Sequence, residues 1–208
     1  MKHELPENPA LILIDIQQGF DNLDWFGGER NNPDAEENAR TLLEHWRLHG
    51  WPLFHIQHCS VKAGSPLAPG HPGNDFKEEV TPLEGEPVIR KKVNSAFIGT
   101  DLKQRLDARG ITTVVLAGLV TQHCVSTTAR MAGNYGYRTF VAADATAAFR
   151  SRSLAGEDIP AEIVYQVSLA TIDNEFATVL TTAAVLELFG AGAAIAGGMI
   201  AESTIAKS

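Results

Sequence analysis

The sequence predicts an α/β domain on a doubly wound (Rossmann-like), mostly parallel sheet with helices on both faces, and two observations predict it. Apolar runs too short for helices recur along the chain, and stretches with helical spacing separate them. The runs are apolar at consecutive positions rather than alternating, as in strands covered on both faces. With 208 residues and 44% hydrophobic content, the chain can bury one substantial core and is short for two ordinary domains. A single domain is expected over residues 1–189, followed by a Gly/Ala-rich tail over 190–208.

The run Ala10 to Ile14 is rich in branched residues and closes at Asp15, which places that carboxylate at a strand's C-terminal end. After Pro33-Asp34, the spacing of Ala39, Leu42, Leu43 and Trp46 predicts a helix to His49, stopped by Gly50. Pro52 to Ile56 reads as a second strand, and residues 59–87, dense in glycine and proline, as a long loop. Val88-Ile89 is a short strand, Thr100 to Arg109 a helix, and Thr113 to Ala117 an apolar strand ended by Gly118. A helix from about His123 to Tyr135 leads to the strand Thr139 to Ala142 and a polar loop to about Pro160. Ligands in such sheets lie beyond the strand C-termini. The tail, low in charge, is expected to lean on a second subunit or a lattice neighbour.

A formal net charge of -8 with scattered basic residues argues against a nucleic-acid partner. Apolar stretches break before the roughly 20 residues needed to span a bilayer, so no membrane association is expected. The N-terminus lacks the pattern of a secretory signal, which makes the cytoplasm the expected compartment. Cys59 and Cys124 are read as free thiols.

Cys124, in GLVTQHCVSTTAR, stands near the first turn of a helix that follows a strand. Free amides and the positive end of the helix dipole favour a thiolate there and can hold an oxyanion. A buried cysteine is more often an inert apolar group, so position is what raises Cys124 above Cys59. A nucleophilic thiol also needs a base and a nearby cation. Asp15 ends a neighbouring strand at the same sheet edge, although an aspartate there is commonly only a turn residue. Of Lys91 and Lys92, at least one should face that edge. His123 is set aside as the base, because adjacent helical residues point about 100 degrees apart.

Three blocks, DIQQGF at Asp15, KKVNSAFIGTDL from Lys91 and GLVTQHCVSTTAR around Cys124, resemble in order and spacing the signature blocks of isochorismatase-like cysteine hydrolases, relatives of nicotinamidase and N-carbamoylsarcosine amidase. The resemblance runs from about Ala10 to Leu186. It implies an Asp15–Lys91–Cys124 triad without a catalytic histidine, and it selects Lys91 over Lys92. It also implies a cis peptide at Leu119-Val120, an oxyanion hole from the Val120 and Cys124 amides, and hydrolysis of a small amide or carbamoyl substrate through a thioester. Alternatives are a silent binding or scaffold protein of the same fold, and a vinyl-ether hydrolase, which Cys124 disfavours. By resemblance, the subunits associate as homodimers or homotetramers.

Nicotinamidases of that superfamily carry a metal on an aspartate and histidines after the second strand. Here FHIQHCS has His58 where the aspartate is expected, with His71 downstream. A set from His55, His58 and His71 is conceivable, but histidines in a strand-loop segment are more often structural, and neither a metal nor a cofactor is expected. Gln17, Phe20, Asn94 and Phe97 follow the triad residues and are expected to line the substrate pocket, with Phe97 alternatively plain core. Trp25 is a weaker candidate.

Overall fold

A computed structural model describes residues 9–190. The expected tail over 190–208 lies outside the described residues except for Gly190. Six strands form one sheet: β1 (Ala10–Ile14), β2 (Leu53–His58), β3 (Val88–Lys91), β4 (Thr113–Leu119), β5 (Arg138–Ala147) and β8 (Thr178–Leu180), in the order β3-β2-β1-β4-β5-β8. Every neighbouring pair is parallel. From β1 the chain winds outward through β2 and β3, then returns to the other side of β1 as β4. The β1/β4 boundary is therefore the topological switch point, where a crevice opens beyond the strand C-termini.

Side chains of β1 alternate between two cores. Ala10, Ile12 and Ile14 pack against Leu102 and Leu106 of α2 (Leu102–Ala108), Ala129 and Ala132 of α3 (Ser126–Asn134), and Tyr165 and Leu169 of α4 (Ala161–Ala170). Leu11 and Leu13 face the opposite layer, with Ala39, Leu42, Leu43 and Trp46 of α1 (Ala35–His49) and with Val185 and Phe189 of a C-terminal helical stretch, 182–190. The period-two alternation of a strand meets the helical stripe of α1 on one face, as the apolar spacing requires. Gly50, at φ 62, ends α1, its N–H bonding to the Arg47 and Trp46 carbonyls.

Several boundaries differ from the sequence reading. β2 runs to His58, and β3 includes Lys91 itself, so both side chains are strand residues in register with each other. Gly118 does not end β4; it lies inside the strand at φ 133, and a Cβ there would sit 2.0 Å from the Ile14 carbonyl oxygen. Glycine at this position lets β4 approach the last residue before Asp15. β5 is ten residues long, with a register shift between its Val141 and Thr146 pairings, and the polar loop after it holds a small hairpin of β6 (Ser151–Arg152) and β7 (Asp158–Ile159). Among the described residues, no helix is long and apolar enough to cross a membrane.

Candidate active site

β1 delivers Asp15 one residue past its end, at φ 53. Aspartate is among the few non-glycine residues that tolerate this left-handed region, and its buried carboxylate meets the Lys91 ammonium. β4 leads through a cis peptide at Leu119-Val120 into a single π turn, Thr121–Val125, ahead of α3. The turn is tied down by the His123 and Val125 N–H groups, both donating to the Val120 carbonyl, and by the Thr121 hydroxyl on Thr146 Oγ1. Cys124 sits on that turn, 7% exposed. Along β3, exposed and buried residues alternate, Ile89 and Lys91 inward and Arg90 outward; Lys92, the neighbour considered with Lys91, is exposed. The strand period thus decides which lysine enters the site.

The three groups meet. Lys91 Nζ stands 2.6 Å from Asp15 Oδ2 and 3.3 Å from Cys124 Sγ, with Asp15 fully buried and Lys91 1% exposed. Two further acceptors reach the same ammonium, His58 Nδ1 and the Val93 carbonyl, each at 3.1 Å. Asp15 Oδ1 is buried without a hydrogen-bond partner. Among the described residues, the side chains able to ligate a metal that converge in a group of three are Asp15, His58 and Cys124. The Lys91 ammonium already stands against all three.

One cation thus faces two groups that can each carry a negative charge. Burial raises the Asp15 carboxyl above its ordinary range, against the opposing pull of Lys91. Burial also pushes the Cys124 thiol up, reinforced by the adjacent carboxylate and opposed by Lys91. Although burial alone would lower it, Lys91 is held charged by Asp15 first and by Cys124 second. Helix dipole and lysine are therefore not the only influences on the thiol: burial and the neighbouring carboxylate oppose them, and a single ammonium faces two groups that both resist carrying charge.

The expected pocket residues divide. Asn94 Oδ1 lies 3.9 Å from Cys124 Sγ. Gln17 is fully buried and lines nothing: its amide donates to the His58 and Asn74 carbonyls and accepts from the His58 N–H, locking the end of β2. Phe97 is core, stacked on Tyr137 and packed with Tyr135, because the chain after Lys91 turns it inward under α3. Phe20 is buried behind Phe26 and Phe149 and packs with Leu119 and Val120. A cleft of about 310 Å³ opens instead beside Val120, Gln122 and His123, walled by Trp25, Phe26, Phe149, Lys62, Arg150 and Ser151. A hollow of about 220 Å³ at the β6–β7 hairpin shares Arg150 and Ser151 with it. Val120, Gln122 and His123, neighbours of Cys124 along the chain, line the cleft, and the triad side chains do not. Phe149 and Arg150 gave no sequence signal, since they lie in a stretch without periodicity. The histidines weighed as a ligand set serve separate partners: His55 Nε2 meets Glu86, His58 meets Lys91, and His71 Nδ1 accepts from the Gly73 N–H. Cys59 is a buried free thiol.

The sequence pattern of the Isochorismatase domain matches residues 9–184. The chain belongs to the isochorismatase family. It is 49% identical over 178 residues to the isochorismatase family protein YrdC of Bacillus subtilis (strain 168), covering 86% of this chain and 94% of that one. A crystal structure of an isochorismatase-family protein from Chromobacterium violaceum superimposes with a TM-score of 0.85 at 43% identity, covering 89% and 95% of the two chains. N-carbamoylsarcosine amidase from Thermoplasma acidophilum shares the fold with a TM-score of 0.66 at 26% identity, over 84% and 96%. This isochorismatase-family chain is thus similar both to uncommitted family members and to an amidase.

Proposed function

We propose that the protein is a cysteine hydrolase that cleaves a C–N bond, amide or carbamoyl, of a small molecule through a thioester on Cys124. The observation that carries this reading is the simultaneous contact of Lys91 Nζ with the Asp15 carboxylate and the Cys124 sulfur inside a buried site at the sheet's switch point. In the first step the Cys124 thiol passes its proton to the Asp15 carboxylate while sulfur attacks the carbonyl carbon, and the π electrons move onto oxygen. The Val120 and Cys124 amides serve as the oxyanion hole. Collapse re-forms the carbonyl and breaks the C–N bond, with the proton on Asp15 going to the leaving amine. Asp15 then takes a proton from water as its oxygen attacks the thioester, and the acid departs as the thiol is restored. Lys91 stays cationic throughout and stabilises whichever of carboxylate or thiolate holds the negative charge.

Carboxylate and thiol alternating as the anion beside one fixed cation is the economy this geometry supports. The similarity to an amidase of the same fold favours nitrogen over ether leaving groups. An aromatic-walled cleft with Lys62 and Arg150 at its rim gives room for a small, partly planar amide. The test is an ammonia-release screen over small amides, run beside Cys124→Ser, with intact-mass detection of the acyl-enzyme. A hit that requires Cys124 and an adduct of the acyl mass support the reading. Turnover undiminished in Cys124→Ser overturns it.

A further inference from the structure

We infer that His58 is a positioning residue for the Lys91 ammonium, acting as the neutral imidazole with its proton on Nε2. The inference rests on the reading that Lys91 supports chemistry at Cys124, and it adds a member to the cluster that the Asp–Lys–Cys pattern does not contain. An ammonium has three hydrogens, and Lys91 Nζ has four acceptors within reach: Asp15 Oδ2 at 2.6 Å, His58 Nδ1 at 3.1 Å, the Val93 carbonyl at 3.1 Å and Cys124 Sγ at 3.3 Å. Two of these, the carboxylate and the sulfur, exchange charge during the proposed reaction. The other two stay neutral and keep the ammonium between its changing partners.

The imidazole is itself held. His58 pairs with Lys91 in sheet register, its N–H donates to Gln17 Oε1 at 2.9 Å, and its carbonyl accepts from Asn74 Nδ2 at 2.8 Å and from Gln17 Nε2 at 3.2 Å. A buried glutamine and asparagine therefore fix the end of β2, and with it the ring. A ring nitrogen 3.1 Å from an ammonium, which has only hydrogens to offer, must be unprotonated, which sets the tautomer. Protonating His58 would break that hydrogen bond and set two cations against each other. The charged and titratable groups facing the ring are Lys91 from β3, which opposes protonation, Asp15 just after β1, which favours it, and Cys124 from the turn after β4, whose sulfur lies within 4.8 Å of a ring nitrogen. Burial first, and Lys91 second, hold His58 below the ordinary histidine range, so the neutral form is the resting one at neutral pH.

The experiment reads the ring and the sulfur directly and needs no substrate. In ¹⁵N-histidine spectra of the full chain, His58 shows Nδ1 unprotonated and Nε2 protonated at neutral pH, and it titrates below about 6.5. In Lys91→Met the same titration moves up. Iodoacetamide alkylation of Cys124 is then followed above pH 7 in two variants. His58→Asn keeps an acceptor oxygen close to the place of Nδ1 but cannot titrate, and its rate profile coincides with that of the wild type. His58→Leu offers no acceptor, and its profile shifts about one pH unit upward, so alkylation is about tenfold slower at a fixed pH on the rising limb. Nδ1 carrying the proton, a His58 titration unmoved in Lys91→Met, or a His58→Leu profile coincident with the wild type each overturns the inference. Failure of the amide screen alone would leave these readouts intact and strike only at the proposed reaction.

Discussion

Replacing Asp15 by asparagine tests the charge count on which the site depends. The buried cluster holds one ammonium and two potential anions, whose carboxylate and sulfur atoms lie within 4.8 Å of each other. At that separation two unit negative charges repel by roughly 3.5 kcal/mol at an effective dielectric of about 20, which is about 2.5 pKa units. Lys91 Nζ, 3.3 Å from the sulfur, attracts a thiolate by roughly 5 kcal/mol on the same scale. Asp15→Asn leaves the burial of Cys124 unchanged, removes the repulsion and makes the thiolate the sole counter-charge of Lys91. The prediction runs against intuition for a lost catalytic group: the sulfur ionises more readily. The rising limb of iodoacetamide alkylation is expected about 2 pH units below the wild-type limb, with Cys124→Ser subtracted to remove any contribution from Cys59. Amide turnover falls at the same time by roughly 10²–10⁴-fold, since no group is left to carry the proton to the amine. Lys91→Met supplies the opposite arm, moving the limb upward. An Asp15→Asn limb that coincides with the wild type, or lies above it, refutes the picture of two anions competing for one cation.

Gly118→Ala would place a Cβ 2.0 Å from the Ile14 carbonyl, at a φ of 133 that alanine disfavours, so a stability loss of about 2–4 kcal/mol is expected by denaturant titration. Because the clash lies one residue before Asp15, turnover should drop by about 10²-fold as the two strands part. Glu86 receives Arg47, the Leu83 N–H and His55; although burial pushes it up, these partners hold its carboxyl at about 2 against an ordinary 4.5. A depressed carboxyl contributes stability that is present above 4.5 and lost as pH falls toward 2. Melting curves across that window should therefore show a steeper acid loss in the wild type than in Glu86→Gln. Trp25→Ala removes a wall of the cleft, and its expected signature is a KM raised by about tenfold with kcat little changed, measured on an amide that the screen identifies.

Much of the frame was legible because it is local. Five apolar residues from Ala10 and a stripe at Ala39, Leu42, Leu43 and Trp46 carry their own periods, and those periods survive folding as β1 and α1. Asp15 and Cys124 could be placed at one sheet edge for the same reason, since each follows directly on a readable strand. The stretch around Lys91 was harder: a run of four residues has too little length to show its own boundary, and the alternation that buries Lys91 while exposing Lys92 appears only once β3 pairs with β2. Gly118 read as a strand end because glycine usually marks one; the close approach that demands it involves Ile14, 104 positions away in sequence, and has no local trace.

Short-range pattern, then, carried the order of strands and helices as far as about Pro160 and placed Asp15 and Cys124, while α4, β8 and the helical stretch over 182–190 went unread and Lys91 was singled out from Lys92 only by the resemblance of its block. The tertiary structure decided the rest. The order β3-β2-β1-β4 brings a lysine from one edge across β2 to the switch point, turns His58 and Val93 into partners of its ammonium, and makes Gln17 a brace for β2 rather than a pocket wall. It also set the directions in which the Asp15 carboxyl and the Cys124 thiol are pushed, because a pKa depends on burial and on charges that arrive from separate strands, and no stretch of chain carries that information by itself.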